Sequence, residues 1–240
     1  MNILITICAR GGSKGIPGKN IRLINGKPLL VYSIDTANKI CKKYNAAIAL
    51  STDSAEIKNV AKIAGVNTNY DRPDFLSTDS AGKKDTIKHL IEYKEQRNGV
   101  RYDYILDLDV TSPLRTSQDI EKAFEMLQTD ADALTIFSVN NAARNPYFNM
   151  VEENSNGYFS LVKTNPDGSA LTRQTAPNVY DLNASFYWYR RSFFDSNFKT
   201  AITDRSLIYL MDHTCFDLDH PIDFLFMEYL LVNNKLDFDL

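Results

Sequence analysis

Short apolar segments that alternate with amphipathic ones constrain the fold of this chain more than any other feature. Asn2–Ala9, Ala46–Ser51 and Tyr104–Asp109 are nearly continuous apolar runs, which are typical of strands covered on both faces. Helical periodicity and a further apolar run predict helices at Ser54–Ala64, Lys83–Arg97 and Ser117–Leu127, and a strand at Ala133–Val139. This alternation predicts an α/β fold of three layers, with helices on both faces of a mainly parallel, Rossmann-like sheet.

The pattern changes between residues 140 and 182, where Asn, Pro, Tyr and Phe dominate. Turn signals at Asn154–Gly157 and Asn165–Gly168 indicate a hairpin-rich excursion from the main sheet. After it, the sequence predicts strands at Ala184–Tyr189 and Leu207–Met211 and a closing helix at Pro221–Asn233. We therefore expect one domain over residues 1–240, with residues 140–182 as an excursion.

Composition excludes several classes of protein. The 27 basic and 30 acidic residues give a net charge of −3 and no basic stripe, so we expect no nucleic-acid partner. No apolar run reaches the ~18 residues of a membrane span, and the first residues do not resemble a signal peptide. The three cysteines are widely spaced and form neither a disulfide framework nor a zinc motif. We expect a cytoplasmic protein without a membrane partner.

A glycine-rich loop follows the first predicted strand, where an α/β sheet binds its ligands. Its backbone amides can hold phosphate oxygens, and Arg10, Lys14 and Lys19 can neutralise a triphosphate. The spacing does not match a P-loop, because Ser13 occupies the position of the first glycine, and it does not match the dinucleotide fingerprint either. The sequence therefore predicts a phosphate-binding loop of a third type.

The loop Ala9–Asn20, with the sequence ARGGSKGIPGKN, resembles the opening motif of cytidylyltransferases that act on nonulosonic acids, the sialic-acid-like nine-carbon sugars. The resemblance to this acylneuraminate cytidylyltransferase family is collinear over nearly the whole chain. It continues through Ser51-Thr52-Asp53, Arg72-Pro73, Ser77-Thr78-Asp79-Ser80, Thr111-Ser112-Pro113-Leu114-Arg115 and Phe216-Asp217-Leu218-Asp219. It implies the nucleotide-diphospho-sugar transferase type of sheet and the attack of an anomeric hydroxyl on the α-phosphorus of CTP. The products would be a CMP-sugar and pyrophosphate.

The resemblance also implies roles for individual residues. Arg10, Lys19 and Asp217 would be catalytic, and Asp217 and Asp219 would hold Mg²⁺, whose preferred ligands are oxygens. The implied nucleotide-binding residues are Ala9, Arg10, Gly11, Gly12, Ser13, Lys19, Asn20, Arg72, Ser80 and Asp109. The implied sugar-binding residues are Asp109, Thr111, Ser112, Arg115, Arg173, Asp181 and Asn183, of which Arg173 would serve the neighbouring subunit's site.

Within the family, the segments at 144–149 and 180–185 look like the branch that activates legionaminic acid. Asp181 stands where the neuraminate branch typically carries arginine, and Asp109 stands where many sialic acid enzymes carry glutamine. The family exchanges an arm in the region of 140–182 between subunits, which implies a homodimer.

Alternatives remain at this point. The chain could belong to the deoxyoctulosonate branch of cytidylyltransferases, or it could be a catalytically silent nucleotide-binding module. Asp223 could assist the metal pair or act as an ordinary first-turn helix acid, and His220 could be a base or a cap. The aromatics Tyr147, Phe148, Phe186 and Trp188 could contact the sugar, but packing is the simpler role. The base that deprotonates the sugar could be a metal-bound carboxylate, Lys19 or water.

Overall fold

The computed structural model describes residues 1–12, 15–78, 80–165, 172 and 174–240. Its main sheet has six strands in the order β10-β6-β9-β5-β1-β4. The strands of this sheet are β1 (Ile3–Cys8), β4 (Ala47–Ser51), β5 (Tyr104–Leu108), β6 (Thr135–Asn141), β9 (Tyr180–Arg190) and β10 (Ser206–Leu210). The helices are α1 (Leu29–Tyr44), α2 (Ala55–Ile63), α3 (Lys83–Asn98), α4 (Ser117–Thr129) and α5 (Pro221–Val232).

The central strand β1 determines the layered architecture. It pairs in parallel with β4 on one side and with β5 on the other, whereas β9 runs antiparallel to β5. Ile3, Ile5 and Ile7 pack with the buried residues of α1 and α4, and Leu4 packs with those of α3 on the opposite face. The predicted α/β fold with a mainly parallel, Rossmann-like sheet is therefore confirmed.

The predicted strands and helices are present, with ends that differ by a few residues. The structure also contains α1, a helix of 16 residues that the sequence analysis did not predict. Its buried positions Leu30, Ile34, Ala37 and Ile40 follow the spacing of a helical face, so the signal was in the sequence. Upstream of α1, β2 (Leu23–Ile24) and β3 (Lys27–Pro28) form a small hairpin.

The sequence Asp53-Ser54-Ala55-Glu56 predicts that Asp53 caps α2 while Glu56 reaches back, but the structure caps the helix at the next residue. Ser54 is the N-cap, and its hydroxyl accepts a hydrogen bond from the Ile57 amide at 3.3 Å. The Asp53 carboxylate instead accepts the Gly11 amide at 2.7 Å. A Cβ at Gly11 would lie 3.0 Å from the Ser54 Cβ, so any larger residue would require the loop or Ser54 to shift. The predicted cap is wrong because Asp53 holds the glycine loop.

Contacts divide the chain into two compact units, one of residues 1–138 with 183–240 and one of residues 139–182. The smaller unit contains a hairpin of β7 (Val151–Glu153) and β8 (Phe159–Leu161). Asn154 and Gly157, which is at φ +80°, form its turn, as predicted. The second predicted turn, Asn165–Gly168, falls largely outside the described residues. Among the described helices, none has the length and apolar character to cross a bilayer.

Candidate active site

A cavity of about 300 Å³ opens at the carboxyl ends of β1 and β5 in the larger unit. Cys8 is the last residue of β1, and Asp109 follows the last residue of β5. The lining residues are Cys8, Arg10, Lys19, Asn20, Arg72, Leu76, Thr78, Ala81, Lys83, Thr86, Asp109 and Thr111. The cavity thus combines four cationic side chains with apolar and hydroxyl groups, and it lies where an α/β sheet binds ligands.

The glycine loop is tied to this cavity by Asn20. The Asn20 side chain is buried, and its Nδ2 donates to the Arg10 backbone oxygen at 2.9 Å. Ala9 continues the ladder beyond β1 by donating to the Ser51 oxygen at 2.9 Å. Gly18, at φ +65°, provides the left-handed turn that precedes Lys19. The loop therefore brings Arg10 and Lys19 to one cavity; Ser13 and Lys14 lie outside the described residues.

Arg72 is buried, and its guanidinium is held at the end of β4. Nε donates to the Ser51 hydroxyl at 2.9 Å, and Nη2 donates to the Ser51 backbone oxygen at 2.8 Å. Hydrogen bonds from two of its nitrogens fix the plane of the guanidinium, and a lysine ammonium group could not be oriented in this way. Arg72 is therefore a rigid polar group in the cavity wall, as a residue that reads a nucleobase must be.

Lys83 lies between two carboxylates, and the sequence reading did not identify it as a site residue. Its Nζ is 2.8 Å from Asp107 Oδ2 and 2.7 Å from Asp109 Oδ2, and it lies over the Tyr187 ring at 5.2 Å. Asp107 is fully buried and also accepts the Thr6 hydroxyl at 2.7 Å. A lysine in the first turn of a helix is unfavourable, because the positive end of the helix dipole lies there. The position of Lys83 in α3 could therefore have indicated that it has another role.

The surroundings of Asp109, Lys83 and Cys8 determine their charge states. Burial by itself would raise the pKa of Asp109, but Lys83 and the two hydrogen bonds from Thr111 outweigh it and hold that pKa at about 2. Burial opposes the charge of Lys83, yet Asp107 and Asp109 raise its pKa well above the usual value. Burial raises the pKa of the Cys8 thiol to about 12. At neutral pH the cavity therefore presents a carboxylate, an ammonium group and an unreactive thiol.

The acidic pair lies beside the cavity because backbone hydrogen bonds place it there. Leu218, between the two aspartates, donates its amide to the Thr111 oxygen at 2.8 Å. Asp219 Oδ1 pairs with Lys19 Nζ at 3.1 Å. The amides of Asp219 and His220 both donate to Asp223 Oδ2, at 2.9 and 2.6 Å. Asp223 thus caps α5 and fixes the backbone of the acidic pair.

Asp217 has the property expected of a cation ligand. Its Oδ1 is buried and has no hydrogen-bond partner among the described residues. Burial raises the pKa of Asp217, and the nearby Asp109 and Asp219 charges add to this effect. An unpartnered buried carboxylate oxygen is costly unless a cation satisfies it. The acidic pair therefore fits Mg²⁺, although the described residues contain no group of three or more metal-ligating side chains.

Arg115 and Ser112, two of the predicted sugar ligands, are buried among backbone oxygens. Arg115 is 1 % exposed, and its guanidinium donates to the backbone oxygens of Ser112, Ser185 and Asp109 and to the Ser33 hydroxyl. The Ser112 hydroxyl is buried as well and donates to the Phe216 oxygen at 3.2 Å. Their contacts hold β5, β9 and the acidic segment together, which is a positioning role. The prediction that they touch the sugar stays a prediction.

The structure places the other predicted residues as follows. Ser80 is exposed and does not line the cavity, whereas its neighbours Thr78 and Ala81 do. Asn183 is buried and accepts the Ser138 hydroxyl at 2.6 Å. Asp181, in the smaller unit, accepts the Ala143 amide at 3.2 Å. Arg173 lies outside the described residues.

Phe186 and Trp188 are fully buried in the larger unit. Trp188 stacks on Phe124 with ring centroids 4.2 Å apart and donates its indole N–H to the Ile120 oxygen. Both aromatics therefore pack in the core, which is the simpler role considered for them.

Sequence comparisons relate this chain to known proteins. A family model described as Cytidylyltransferase matches residues 4–218. Post-translational flagellin modification protein B of Campylobacter coli is 38 % identical over 234 residues, which cover 98 % of this chain and 97 % of that protein. CMP-N,N'-diacetyllegionaminic acid synthase of Campylobacter jejuni is 38 % identical over 229 residues, or 95 % of this chain and 94 % of that protein.

Solved structures share the fold at low identity. A CMP:2-keto-3-deoxy-manno-octonic acid synthetase complexed with CTP superposes with a TM-score of 0.67 at 17 % identity, covering 98 % of this chain and 100 % of that chain. A putative glucose-1-phosphate thymidylyltransferase from Bacillus anthracis gives a TM-score of 0.62 at 11 % identity, covering 99 % and 98 %. The family match and the two long alignments place this chain in the cytidylyltransferase family: it is an enzyme of the nucleotidyltransferase class.

Proposed function

We propose that this enzyme transfers CMP from CTP to a nonulosonic acid, with legionaminic acid as the preferred acceptor, and releases pyrophosphate. The observation that carries the proposal is the cavity in which a glycine loop, Arg10, Lys19 and a fixed Arg72 meet the carboxylate of Asp109. The similarity to a CMP-N,N'-diacetyllegionaminic acid synthase over 95 % of the chain supports the choice of sugar. The acceptor's anomeric hydroxyl attacks the α-phosphorus while the bond to the pyrophosphate oxygen breaks.

The residues proposed to bind CTP fall into two groups, one for the triphosphate and one for the nucleoside. Arg10, Lys19, Ser13 and the amide of Gly12 bind the triphosphate, because cations and loop amides both favour phosphate oxygens, and Gly11 shapes the loop through its hydrogen bond to Asp53. Asn20 and Arg72, which line the cavity, recognise ribose and cytosine. Ala9 and Ser80 do not line it, and we retain them as nucleotide-binding residues on the family resemblance.

Asp217 and Asp219 would hold Mg²⁺, which offsets the negative charge of the triphosphate when bound. Lys19 pairs with Asp219 in the structure, so it links the acidic pair to the phosphate-binding loop.

The proposed sugar ligands are Asp109 and Thr111 at the cavity, together with Asp181 and Asn183, which the family resemblance implies. Asp109 is ionised at neutral pH and is an acceptor for sugar hydroxyls. Arg115 and Ser112 position this part of the site through the contacts described above.

Residues 140–182 form an arm for sugar binding and dimerisation, through which Arg173 serves a neighbouring subunit. The exposed apolar side chains Val151, Tyr158 and Phe159 of the smaller unit support this proposal. We place the enzyme in the cytoplasm, where CTP is available.

Pyrophosphate release tests the proposal directly. The four nucleoside triphosphates are each supplied with Mg²⁺ and with legionaminic, pseudaminic, N-acetylneuraminic or 3-deoxy-octulosonic acid. We expect release with CTP and the highest kcat/KM with legionaminic acid. A preference for N-acetylneuraminic acid would contradict the sugar assignment, and a preference for the octulosonic acid would place the enzyme in that branch. Binding of CTP without turnover of any acid would indicate a silent nucleotide-binding module.

Arg72→Lys tests whether the fixed guanidinium reads the nucleotide. We expect the KM for CTP to rise about tenfold with little change in kcat, because the loss of one or two hydrogen bonds costs about 1–2 kcal/mol. The measurement is a steady-state titration of CTP at saturating sugar. Arg205→Lys, at an exposed position outside the cavity, is the matched control. An unchanged KM for CTP in Arg72→Lys would remove Arg72 from the nucleotide site.

A further inference from the structure

The segment of residues 211–216 joins β10 to the acidic pair, and His213 fixes it from three sides. The imidazole Nε2 lies 2.9 Å from Oδ2 of Asp119, in the first turn of α4. Nδ1 lies 3.1 Å from the backbone oxygen of Thr214, and the ring stacks on Phe238 with centroids 3.8 Å apart. The side chain is only 10 % exposed. His213 is therefore held in place, although it lies outside the cavity lining.

The two ring nitrogens of His213 face oxygen atoms that can only accept hydrogen bonds. A neutral imidazole has one N–H group and can donate to one of them, whereas an imidazolium donates to both. Asp119 is buried and also accepts the Thr116 amide at 2.7 Å and the Tyr209 hydroxyl at 3.1 Å, so it is held as a carboxylate. The geometry therefore favours the charged form of His213.

The surroundings of His213 act in the same direction. Burial by itself would lower the pKa of His213, but its hydrogen bonds to Asp119 and Thr214 raise it above the ordinary value, and the charge of Asp237 adds to this effect. Burial would raise the pKa of Asp119, but the hydrogen bonds that it accepts, first that of His213, lower it. The titratable groups that face His213 come from three elements, and they are Asp119, Asp237 and, through Asp119, Tyr209. Below its raised pKa, His213 therefore forms an ion pair with Asp119.

Asp217 lies four residues after His213, and contacts at two points hold the chain between them. The Phe216 backbone oxygen accepts the Ser112 hydroxyl at 3.2 Å, which holds the end of this stretch, and His213 holds its beginning. Asp217 Oδ1 has no hydrogen-bond partner among the described residues, so the direction of this carboxylate depends on the backbone that carries it. Loss of the His213 contacts would loosen that backbone.

We propose that His213 is a positioning residue for the acidic pair: bound to Asp119 as an imidazolium, it fixes the segment before Asp217 and so orients that carboxylate for a divalent cation. The inference rests on the proposed function, because Asp217 and Asp219 must bind the cation. Groups that orient metal ligands typically change the affinity for the metal 10–100-fold. We expect the lower value here, since His213 acts through the backbone.

His213→Phe tests this role, because it keeps a ring against Phe238 and removes both N–H donors. We expect the dissociation constant for Mn²⁺, measured by calorimetric titration at about pH 6, to rise about tenfold. Arg191→Met is the matched control: the Arg191 side chain is 8 % exposed and pairs with Glu95, and its backbone binds Asp103 just before β5. The control should lower the melting temperature without changing the affinity for Mn²⁺.

His213→Gln tests the requirement for a charged ring, because its amide can donate to Asp119 but does not titrate. As the pH rises from about 6 to about 8.5, wild-type His213 loses its proton and the ion pair is lost. We expect the ratio of the Mn²⁺ dissociation constants, variant over wild type, to fall toward one over this range. His220 is present in both proteins, so its titration cancels in the ratio. His89→Gln, on α3, should leave the pH dependence of the wild type unchanged.

The outcomes separate this inference from the proposed function. If His213→Phe binds Mn²⁺ as tightly as the wild type, the positioning role is overturned while the proposed function stands. If the wild type itself binds no Mn²⁺, the assignment of the acidic pair fails and the inference fails with it. Equal weakening in Arg191→Met would show that a general loss of stability is the cause. A ratio for His213→Gln that stays constant with pH would contradict the charged clamp.

Discussion

Asp217→Asn is expected to lower kcat at least about 100-fold while leaving the fold as stable as the wild type or more stable. The carboxylate has a buried oxygen without a partner, and its pKa is raised by burial and by the neighbouring Asp109 and Asp219. A carboxyl whose pKa is raised in the folded state weakens folding at pH values above its ordinary pKa, so its neutral isostere does not destabilise the protein. Losing a ligand to the divalent cation removes several kcal/mol of charge stabilisation from the reaction. Pyrophosphate release and thermal unfolding measure the two effects.

The prediction is specific because Asp217→Asn should lose activity without losing stability. Asp204→Asn, at an exposed aspartate, is the matched control and should change neither quantity. Calorimetric titration with Mn²⁺ adds a readout apart from turnover, and its binding should weaken in Asp217→Asn. If that variant keeps more than half of the wild-type kcat, Asp217 does not hold the cation. A loss of activity that follows a lowered melting temperature would indicate a merely structural aspartate.

Lys83→Met is expected to destabilise the protein by about 3 kcal/mol and to raise the KM for the sugar at least tenfold. Without the ammonium group, the fully buried Asp107 carboxylate has no counter-ion, and removing one member of a buried ion pair typically costs 3–5 kcal/mol. We expect the lower value because the Lys83 side chain is 39 % exposed, so water screens part of the effect. Asp109 also loses the partner of its Oδ2, which frees the carboxylate that we place against the sugar. Chemical denaturation and steady-state kinetics provide the measurements.

A second substitution shows whether Lys83 acts through charge. Lys83→Met combined with Asp107→Asn should recover most of the lost stability, because the asparagine oxygen can still accept the Thr6 hydroxyl and the fully buried carboxylate is no longer charged. Lys88→Met, on the same helix and 42 % exposed, should be close to neutral. Equal destabilisation in the single and double variants would show that Lys83 contributes by packing instead.

The pH dependence of the Lys83→Met defect follows from the sign of the Asp109 shift. Its pKa of about 2 lies below the ordinary value of about 3.9, so pairing with Lys83 stabilises the fold above about pH 4, and this contribution disappears as the pH falls toward 2. The difference in unfolding free energy between wild type and Lys83→Met should therefore narrow over that range. A difference that stays constant from pH 5 to pH 2 would contradict the ion-pair explanation.

The site could be predicted in part because several of its residues occupy short, contiguous motifs. The glycine loop, Arg72-Pro73 and Asp217-Leu218-Asp219 each hold their chemistry within a few residues. The glycine loop follows a predicted strand, and the acidic pair precedes a predicted helix. The rule that ligands bind at the carboxyl ends of parallel strands then brings these motifs together without knowledge of the structure. Arg10, Lys19, Asn20, Arg72, Asp109 and Thr111 do meet at one cavity.

Other residues show why some contacts of the site could not be predicted from the sequence. Lys83 was not identified as a site residue, because its partners Asp107, in β5, and Asp109, just after β5, approach it only in the folded chain. The sequence did not reveal that the Arg115 guanidinium is buried among the oxygens of three segments, because these segments meet only in the folded chain. Asp53 looked like a helix cap, but the approach of Gly11 gave its carboxylate another donor.

The sequence by itself determined the α/β class, the order of most elements and the phosphate-binding character of the first loop. These depend on hydrophobic periodicity and on backbone freedom, which act between residues close in the chain. Only the tertiary structure decided which charges pair and which polar groups are buried. Burial and electrostatic pairing depend on distances between residues far apart in the sequence, and those distances exist only once the sheet has formed.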